Sequence, residues 1–258
     1  MLPTWNPERL KPMIPFVIGL IGNRRSGKST MQSWLLTNVL QNEFDLYISF
    51  AGSISCSPET RKFFYSHAME DMMFDRLRIK FLQTLMRQQE YIKENRLKRR
   101  RVLLLLDDAE LDKSEESFLG TFCTRARHFD CSIIQSSVSY TMMKPNFRRS
   151  LDCLCLFSIG MYSDRYLMLK EFSRNPKLSH YAMQELEKYQ CLVQEKDHLS
   201  ELFYFKLENE SIQSKSENTT ALAVNETENH ASHSLGLETL HSDDNLGDFE
   251  SKNEFLTV

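Results

Sequence analysis

Short apolar runs alternate with helix-like segments along residues 1–207. The strand-like runs are residues 16–21, 44–50, 101–106, 131–134 and 153–159. Almost every gap between them has apolar residues at helical spacing, as in the long segment from Glu70 to Leu97. Strands that alternate with helices form βαβ units, which predicts an α/β fold with a mainly parallel sheet and helices on both of its faces.

The pattern changes twice towards the C-terminus. Two further helices are predicted at about Asp164–Phe172 and Ser179–Tyr189, and residues 191–194 with 202–207 predict a closing β-hairpin. From Glu208 onward the sequence is rich in Ser, Asn, Glu and Thr, and no apolar period persists. We therefore expect one folded domain over residues 1–207 and a disordered acidic tail over residues 208–258.

Composition adds a charge asymmetry and excludes several classes of protein. The chain has 258 residues, of which 41% are hydrophobic, so it can bury a full core in one or two domains. The tail has a net charge of −9 and leaves +6 for residues 1–207. The longest apolar runs are too short for a membrane helix, and the N-terminus does not resemble a secretory signal, so we expect an intracellular protein. The six cysteines lack a CxxC pair and are expected to be buried, reduced thiols.

A phosphate-binding motif occupies the first strand-to-helix junction. Residues 22–29, GNRRSGKS, match GxxxxGK[ST] at every fixed position. The glycines let backbone N–H groups surround a phosphate at the helix N-terminus, while Lys28 reaches the β- and γ-phosphates and Ser29 binds Mg²⁺. The motif alone predicts the binding of a nucleotide, with Mg²⁺ at Ser29. The expected nucleotide-binding residues are Gly22, Asn23, Arg24, Arg25, Ser26, Gly27, Lys28, Ser29 and Thr30, which we call the phosphate loop.

Two acids at the end of a buried strand are candidates for the second half of the site. The run from Val102 to Leu106 ends in Asp107 and Asp108. A carboxylate at this point can hold the Mg²⁺ shell directly or through water, and Asp107 is the candidate. Asp108 is the candidate for orienting the attacking water, with Glu110 in reserve because the Asp108 side chain is short. The alternative is an acidic turn that only caps a strand.

The next strand ends in a polar residue, Gln135. If this strand inserts between the strand before the phosphate loop and the strand before Asp107, Gln135 lies near the γ-phosphate and can sense hydrolysis. The alternative is an ordinary polar residue at a strand end.

Four sequence blocks together resemble the poxvirus-type genome-packaging ATPases, the viral branch of the FtsK–HerA superfamily of DNA-pumping motors. The blocks are residues 22–30, the strand that ends at Asp107-Asp108, Arg127-His128 before the strand that ends at Gln135, and Pro145-x-x-Arg148-x-x-x-Asp152. The resemblance spans roughly residues 14–207. It implies a P-loop NTPase fold of the RecA/ASCE type, in an ATP-driven ring that threads double-stranded DNA into a preformed capsid.

The resemblance also implies roles for individual residues. Lys28 and Ser29 correspond to the phosphate and Mg²⁺ ligands, Asp107 to the Mg²⁺ carboxylate, Asp108 to the water-orienting acid and Gln135 to the sensor. Ala126 and Ser150 depart from the family pattern without removing a catalytic group. The arginine that stabilises the transition state stays open between a residue acting in cis and one reaching a neighbouring subunit. The candidates are Arg24 and Arg25 in cis and Arg125, Arg127, Arg148 and Arg149 in trans, with Arg148 favoured for its match and Arg24 for its location.

Cations near the end of the long helix are candidates for sequence-independent DNA binding. We call them the basic cluster: Lys93, Arg96, Lys98, Arg99, Arg100 and Arg101. They can contact phosphates, but cations at a helix C-terminus also complement the helix dipole and keep it solvated, and a nuclear-import patch is a further interpretation.

The sequence therefore favours an ATP-driven DNA translocase with a capsid or portal component as partner, located in the host cytoplasm or nucleus. Two alternatives stay open. One is a nucleoside or nucleotide kinase on the same loop; such kinases usually carry a strand-end Asp-Arg pair, where this chain has Asp107-Asp108. The other is a nucleotide-dependent interaction module without catalysis. For the tail we hold two interpretations, a mimic of DNA or docking segment and a merely solubilising extension.

Overall fold

The computed structural model describes residues 2–51, 57–107, 111–141, 143–160, 162–173, 176–196 and 201–207. The chain divides into a compact unit, Met1–Lys206, and a second unit, Leu207–Val258. The predicted disorder of residues 208–258 lies outside the described residues and stays a prediction.

The described strands form one eight-stranded sheet. They are β1 (Val17–Ile21), β2 (Leu46–Ala51), β3 (Met73–Phe74), β4 (Val102–Asp107), β5 (Cys131–Ser137), β6 (Cys153–Leu156), β7 (Gln190–Glu195) and β8 (Phe203–Lys206). Their order is β3-β2-β4-β5-β1-β6-β7-β8. The first six pair in parallel, and β7 and β8 form an antiparallel hairpin on the edge of β6. The mainly parallel sheet and the closing hairpin are as predicted.

Helices connect the parallel strands. They are α1 (Lys28–Asn38), α2 (Pro58–Ser66), α3 (Ile79–Glu94), α4 (Lys113–Arg125), α5 (Pro145–Ser150), α6 (Tyr162–Phe172) and α7 (Pro176–Gln184). The chain crosses the sheet in one direction through α1 and in the opposite direction through α3, α4 and α5. Because parallel crossovers are right-handed, this reversal places the two groups of helices on opposite faces. The contacts agree, since α1 packs on α2 and α4 packs on α5.

The long helix begins later than predicted. A 3₁₀ helix occupies Glu70–Met72 and β3 follows it, so α3 starts only at Ile79. Phe74 stacks on Phe50 of the neighbouring strand, with ring centroids 5.4 Å apart, and also packs against Phe81. Apolar residues four positions apart fall on one face of a helix and also on one face of a strand, so the spacing alone did not separate the two.

Two other helices differ from the prediction. Helix α2 was not predicted, although its Ser57 cap accepts a hydrogen bond from the Thr60 N–H and Pro58 occupies its first turn. Ser-Pro before a helical segment is a start signal, so the sequence did contain it. The last helix ends at Gln184 rather than near Tyr189.

Among the described residues, each helix is either too short or too polar to form a membrane span.

Candidate nucleotide-binding site

The phosphate loop joins β1 to α1, and its two glycines are required by close contacts. Gly27 has φ of 114°, and a Cβ there would lie 2.9 Å from Cδ1 of Tyr189. A Cβ on Gly22 would lie 2.5 Å from the Cβ of Phe157. The Asn23 N–H also donates to the carbonyl of Ser158 at 2.9 Å. The extension of β6 and the turn before β7 therefore hold the loop in place, and a side chain at either glycine would displace it.

Lys28 lies inside the loop. Its Nζ donates to the carbonyl oxygens of Gly22 at 2.8 Å and Asn23 at 2.9 Å, and the residue is only 5% exposed. The backbone carbonyls thus hold a positive charge at the centre of the cradle, where an anion would be attracted. Ser29 follows it in the first turn of α1 and is partly exposed.

A cavity of about 740 Å³ opens beside the loop. Its wall combines the loop with the end of β5, one face of α4, the segment before and within α5, and the turn before β7. The lining residues that bear on the chemistry are Arg24, Arg25, Gly27, Lys28, Ser29, Thr30, Glu116, Gln135, Ser136, Lys144, Lys188 and Tyr189. The volume is in the range of small-molecule ligand sites, so a nucleotide can be accommodated here.

Asp107 ends β4 on the same edge of the sheet as the phosphate loop. It pairs with Ser136 of β5, and β5 pairs with β1. At about 4.8 Å per strand, the ends of β4 and β1 are about 10 Å apart. The Ser136 hydroxyl donates to the Asp107 carboxylate, which is 5% exposed. Ser136 lines the cavity, and Asp107 is not among the lining residues described.

Gln135 lies on the strand between the two motifs. Strand β5 pairs with β1 on one side and with β4 on the other. The strand continues to Ser137, so Gln135 is inside it rather than at its end as predicted. Its side chain lines the cavity, and Oε1 is buried with no hydrogen-bond partner among the described residues. Ser26 Oγ in the phosphate loop is likewise buried with no hydrogen-bond partner among the described residues. A buried polar atom without a partner is costly, so both atoms fit a site that receives a polar ligand.

The residues present fit Mg²⁺ with a nucleotide. The described residues contain no group of three or more His, Cys, Asp or Glu that could bind a metal by itself. The oxygen donors that the sequence predicts for the metal are the Ser29 hydroxyl, which lines the cavity, and the Asp107 carboxylate at the end of β4. Mg²⁺ prefers this arrangement, because it usually takes one or two protein oxygens and completes its shell with phosphate and water.

The two favoured arginines lie in different surroundings. Arg24 is exposed and lines the cavity. The Arg148 side chain is 12% exposed and pairs with Glu171 at 3.1 Å, while its guanidinium stands 4.9 Å from the ring centre of Tyr140. Burial and the Glu171 carboxylate raise the pKa of that Tyr140 hydroxyl. The structure therefore does not bring Arg148 to the cavity within one subunit. Asp108 and Glu110 lie outside the described residues.

Among the lining residues that the sequence did not predict are Glu116, Lys144, Lys188 and Tyr189. Glu116 of α4 pairs with Lys144 across the cavity wall at 2.8 Å. Lys188 and Tyr189 come from the turn before β7, about 160 residues after the loop. No local sequence signal marks these positions, because only the tertiary fold brings them to the loop.

Gly27→Ala is expected to lower the affinity for Mg-ATP at least about tenfold. The new Cβ would meet Tyr189, and a non-glycine residue at such a φ costs about 1–3 kcal/mol. Calorimetric titration and thermal unfolding measure both effects. Gly120→Ala is the control for thermal unfolding alone, because Gly120 lines the cavity. Its Cβ would lie 3.6 Å from Asn146 Cβ, an ordinary contact between α4 and α5. Unchanged affinity and melting temperature in Gly27→Ala would contradict the geometry assigned to the loop.

Comparison with known proteins identifies the family. Residues 6–201 match the family model described as Poxvirus A32 protein. The chain belongs to this family. No curated protein sequence gives a significant match.

Solved structures show the fold of this A32 family member. It resembles B204, the DNA-packaging ATPase from Sulfolobus Turreted Icosahedral Virus, with a TM-score of 0.57 at 16% identity, over 76% of this chain and 98% of that chain. The genome packaging NTPase B204 from Sulfolobus turreted icosahedral virus 2, in complex with ATP-gammaS, gives 0.55 at 14% identity, over 79% and 100% of the two chains. EssC (ATPases 2 and 3) from Geobacillus thermodenitrificans gives 0.51 at 15% identity, over 70% and 38%. The predicted P-loop NTPase fold is confirmed.

Proposed function

We propose that this A32 family member is an ATP-hydrolysing DNA translocase that packages a double-stranded DNA genome into a preformed capsid. One observation carries the proposal: the phosphate loop and the strand that ends at Asp107 flank the Gln135 strand on one edge of the sheet, with the cavity beside them. The family match and the fold shared with B204, a packaging ATPase, support the same function.

The proposed chemistry is in-line attack of water on the γ-phosphate of Mg-ATP. Mg²⁺, when held by the Ser29 hydroxyl and the Asp107 carboxylate, would supply positive charge that stabilises the negative charge developing on the phosphate. Lys28 holds the β- and γ-phosphates, and Ser29 with Asp107 supplies the protein oxygens for the metal. Gln135 is placed to donate an amide N–H to a γ-phosphate oxygen and to pass the change on hydrolysis to β5. Asp108, with Glu110 in reserve, stays the predicted water-orienting acid.

The transition-state arginine is proposed from its position. Arg24 is exposed at the cavity and needs no neighbouring subunit to reach the nucleotide. Arg148 is held by Glu171 in this subunit, so a role in trans would require it to leave that ion pair. We therefore propose Arg24 in cis, and a homo-oligomeric ring as the assembly that moves DNA. The working location is the host cytoplasm or nucleus at the site of virion assembly, with a capsid or portal component as partner.

The basic cluster is the proposed DNA contact. It begins in the last turn of α3 and extends to the start of β4, at the edge of the sheet opposite Asp107. All six side chains are exposed, and long ion pairs join Arg99 to Asp130 at 3.6 Å and Arg101 to Glu43 at 3.9 Å. Exposed cations on a core of net charge +6 suit contacts with phosphates, and the cluster offers nothing that would read bases.

Alanine at Lys93, Arg96 and Lys98 together is expected to weaken binding of double-stranded DNA uniformly across sequences. Log affinity falls with log salt concentration, and each phosphate contact contributes about 0.9 to the steepness of that fall. The loss of up to three contacts should make the salt dependence shallower by about 2 to 3. Fluorescence anisotropy at several salt concentrations measures it. Alanine at the exposed residues Lys62, Lys113 and Lys206 is the control with the same charge change. If both triple variants keep the wild-type slope, the cluster only solvates the end of α3.

Product analysis tests the function as a whole. Purified protein with Mg-ATP is expected to release free phosphate, and double-stranded DNA of any sequence is expected to stimulate this release. Transfer of phosphate to an added nucleoside would instead identify a kinase. An oligomer that binds ATP without releasing phosphate would identify a non-catalytic interaction module.

A further inference from the structure

The turn between α7 and β7 is held by a reciprocal pair of hydrogen bonds. The Glu187 N–H donates to Oε1 of Gln190 at 3.0 Å, and Nε2 of Gln190 donates back to the Glu187 carboxylate at 2.9 Å. Gln190 is 7% exposed and begins β7, so this reciprocal pair anchors the turn to the sheet. Lys188 and Tyr189 form the tip of the turn, which we call the Lys188–Tyr189 turn.

This turn is attached directly to the phosphate loop. The Tyr189 N–H donates to the carbonyl of Ser26 at 3.0 Å. The Tyr189 Cα lies 3.1 Å from the position that a Cβ on Gly27 would take, and its ring atom Cδ1 lies 2.9 Å from it. Tyr189 adopts φ of 67°, which is rare for a bulky residue and costs free energy that the surrounding structure must offset.

The ring of Tyr189 is one of the few aromatic surfaces in the cavity wall. Phe147 is the other aromatic lining residue among those described, and it is only 2% exposed. Tyr189 is partly exposed, and Lys188 Nζ stands 4.6 Å from its ring centre. A lysine ammonium on an exposed side chain can swing away or contact an anion, so the ring offers a surface on which a planar group can stack.

The topology indicates which part of a nucleotide reaches this ring. The groups proposed to act on the γ-phosphate, Gln135 and Asp107, belong to β5 and β4 on one side of β1. The Lys188–Tyr189 turn leads into β7, on the other side of β1. A nucleotide whose γ-phosphate points towards β5 must therefore extend its ribose and base away from that side.

We propose that Tyr189 is the base-binding residue of the nucleotide site and that its ring stacks on the purine of ATP. This inference rests on the proposed function, because it requires a nucleotide on the phosphate loop. It assigns the triphosphate to the phosphate loop and the base to the turn that precedes the C-terminal hairpin. Tyr189 also packs against Gly27, and this contact accounts for its unfavourable positive φ.

Binding of Mg-ATP and of inorganic tripolyphosphate with Mg²⁺ tests the proposal in three proteins: wild type, Tyr189→Phe and Tyr189→Asn. Tyr189→Asn removes the ring but suits a positive φ. It is expected to weaken ATP binding by about 5- to 100-fold, the range for loss of one base–aromatic stack, and to leave tripolyphosphate binding unchanged. Tyr189→Phe is expected to bind both ligands like the wild type.

Each other outcome decides against the inference. Equal losses for ATP and tripolyphosphate in Tyr189→Asn would show that the turn only supports the loop. Unchanged ATP binding in that variant would show that the base lies elsewhere. A wild-type protein that binds neither ligand would overturn the proposed function itself, and the assignment of Tyr189 with it.

Discussion

Lys28→Ala is expected to reduce ATP hydrolysis by about 1,000-fold or more. Removal of a single hydrogen-bond donor to a transition-state charge already costs about 100- to 1,000-fold, and Lys28 supplies a full positive charge at the centre of the cradle. The fold should survive, because the loop is also held by Tyr189 and by Ser158. Phosphate release in a steady-state assay measures turnover, and circular dichroism checks the fold.

Lys62→Ala is the matched control for this variant. Lys62 is an exposed lysine of α2, and it is not part of the described cavity wall. Its loss changes the net charge equally and is expected to leave turnover at the wild-type level. Hydrolysis that persists in Lys28→Ala would show that the nucleotide is not held by the phosphate loop.

Asp107→Asn is expected to slow ATP hydrolysis strongly while changing ATP affinity only a little. Asparagine keeps the shape and can still accept the hydrogen bond from Ser136, but it removes the negative charge that is proposed to hold the Mg²⁺ shell. We expect ATP affinity to change by a few-fold and turnover to fall by about 100-fold or more, since metal charge stabilisation in the transition state contributes several kcal/mol. A titration with Mg²⁺ should need a higher metal concentration for half-maximal rate.

Asp75→Asn is the matched control for Asp107→Asn. Asp75 is exposed and directly follows β3, so it lies at the carboxyl edge of the same sheet but further from the phosphate loop. It should keep both the wild-type rate and the wild-type dependence on Mg²⁺. An Asp107→Asn protein with normal turnover would move the metal-binding role to another carboxylate.

The sequence predicted the strands and helices whose burial produces a regular pattern of apolar residues. Strands such as β1 and β4 are buried on both faces, so they are continuous apolar runs; the run of β4 lies between Arg101 and Asp107, and the run of β1 ends at Gly22. Strand β3 was missed, because two residues at the edge of a sheet leave almost no pattern and its identity depends on Phe74 packing on Phe50. The start of α3 shifted for the same reason.

Some residues of the candidate site could also be predicted from the sequence, and others could not. The phosphate loop was predictable because phosphate binding needs particular residue types at fixed spacing within one segment. The location of Asp107 was predictable because the carboxyl ends of parallel strands meet at one edge of a sheet, and its metal-binding role stays a prediction. Tyr189 and the Glu116–Lys144 pair were not predictable, because they reach the cavity only through the packing of distant segments. The position of Arg148 was likewise set by Glu171, which lies on a different helix.

The most direct test of the central claim is a structure of the protein with Mg²⁺ and a non-hydrolysable ATP analogue. The account predicts the β- and γ-phosphates against the backbone N–H groups of the phosphate loop and Lys28. It also predicts a metal ion bound by Ser29 Oγ, with Asp107 reaching it directly or through one water. A triphosphate bound outside the loop, or a metal shell without Asp107 in either form, would contradict the account.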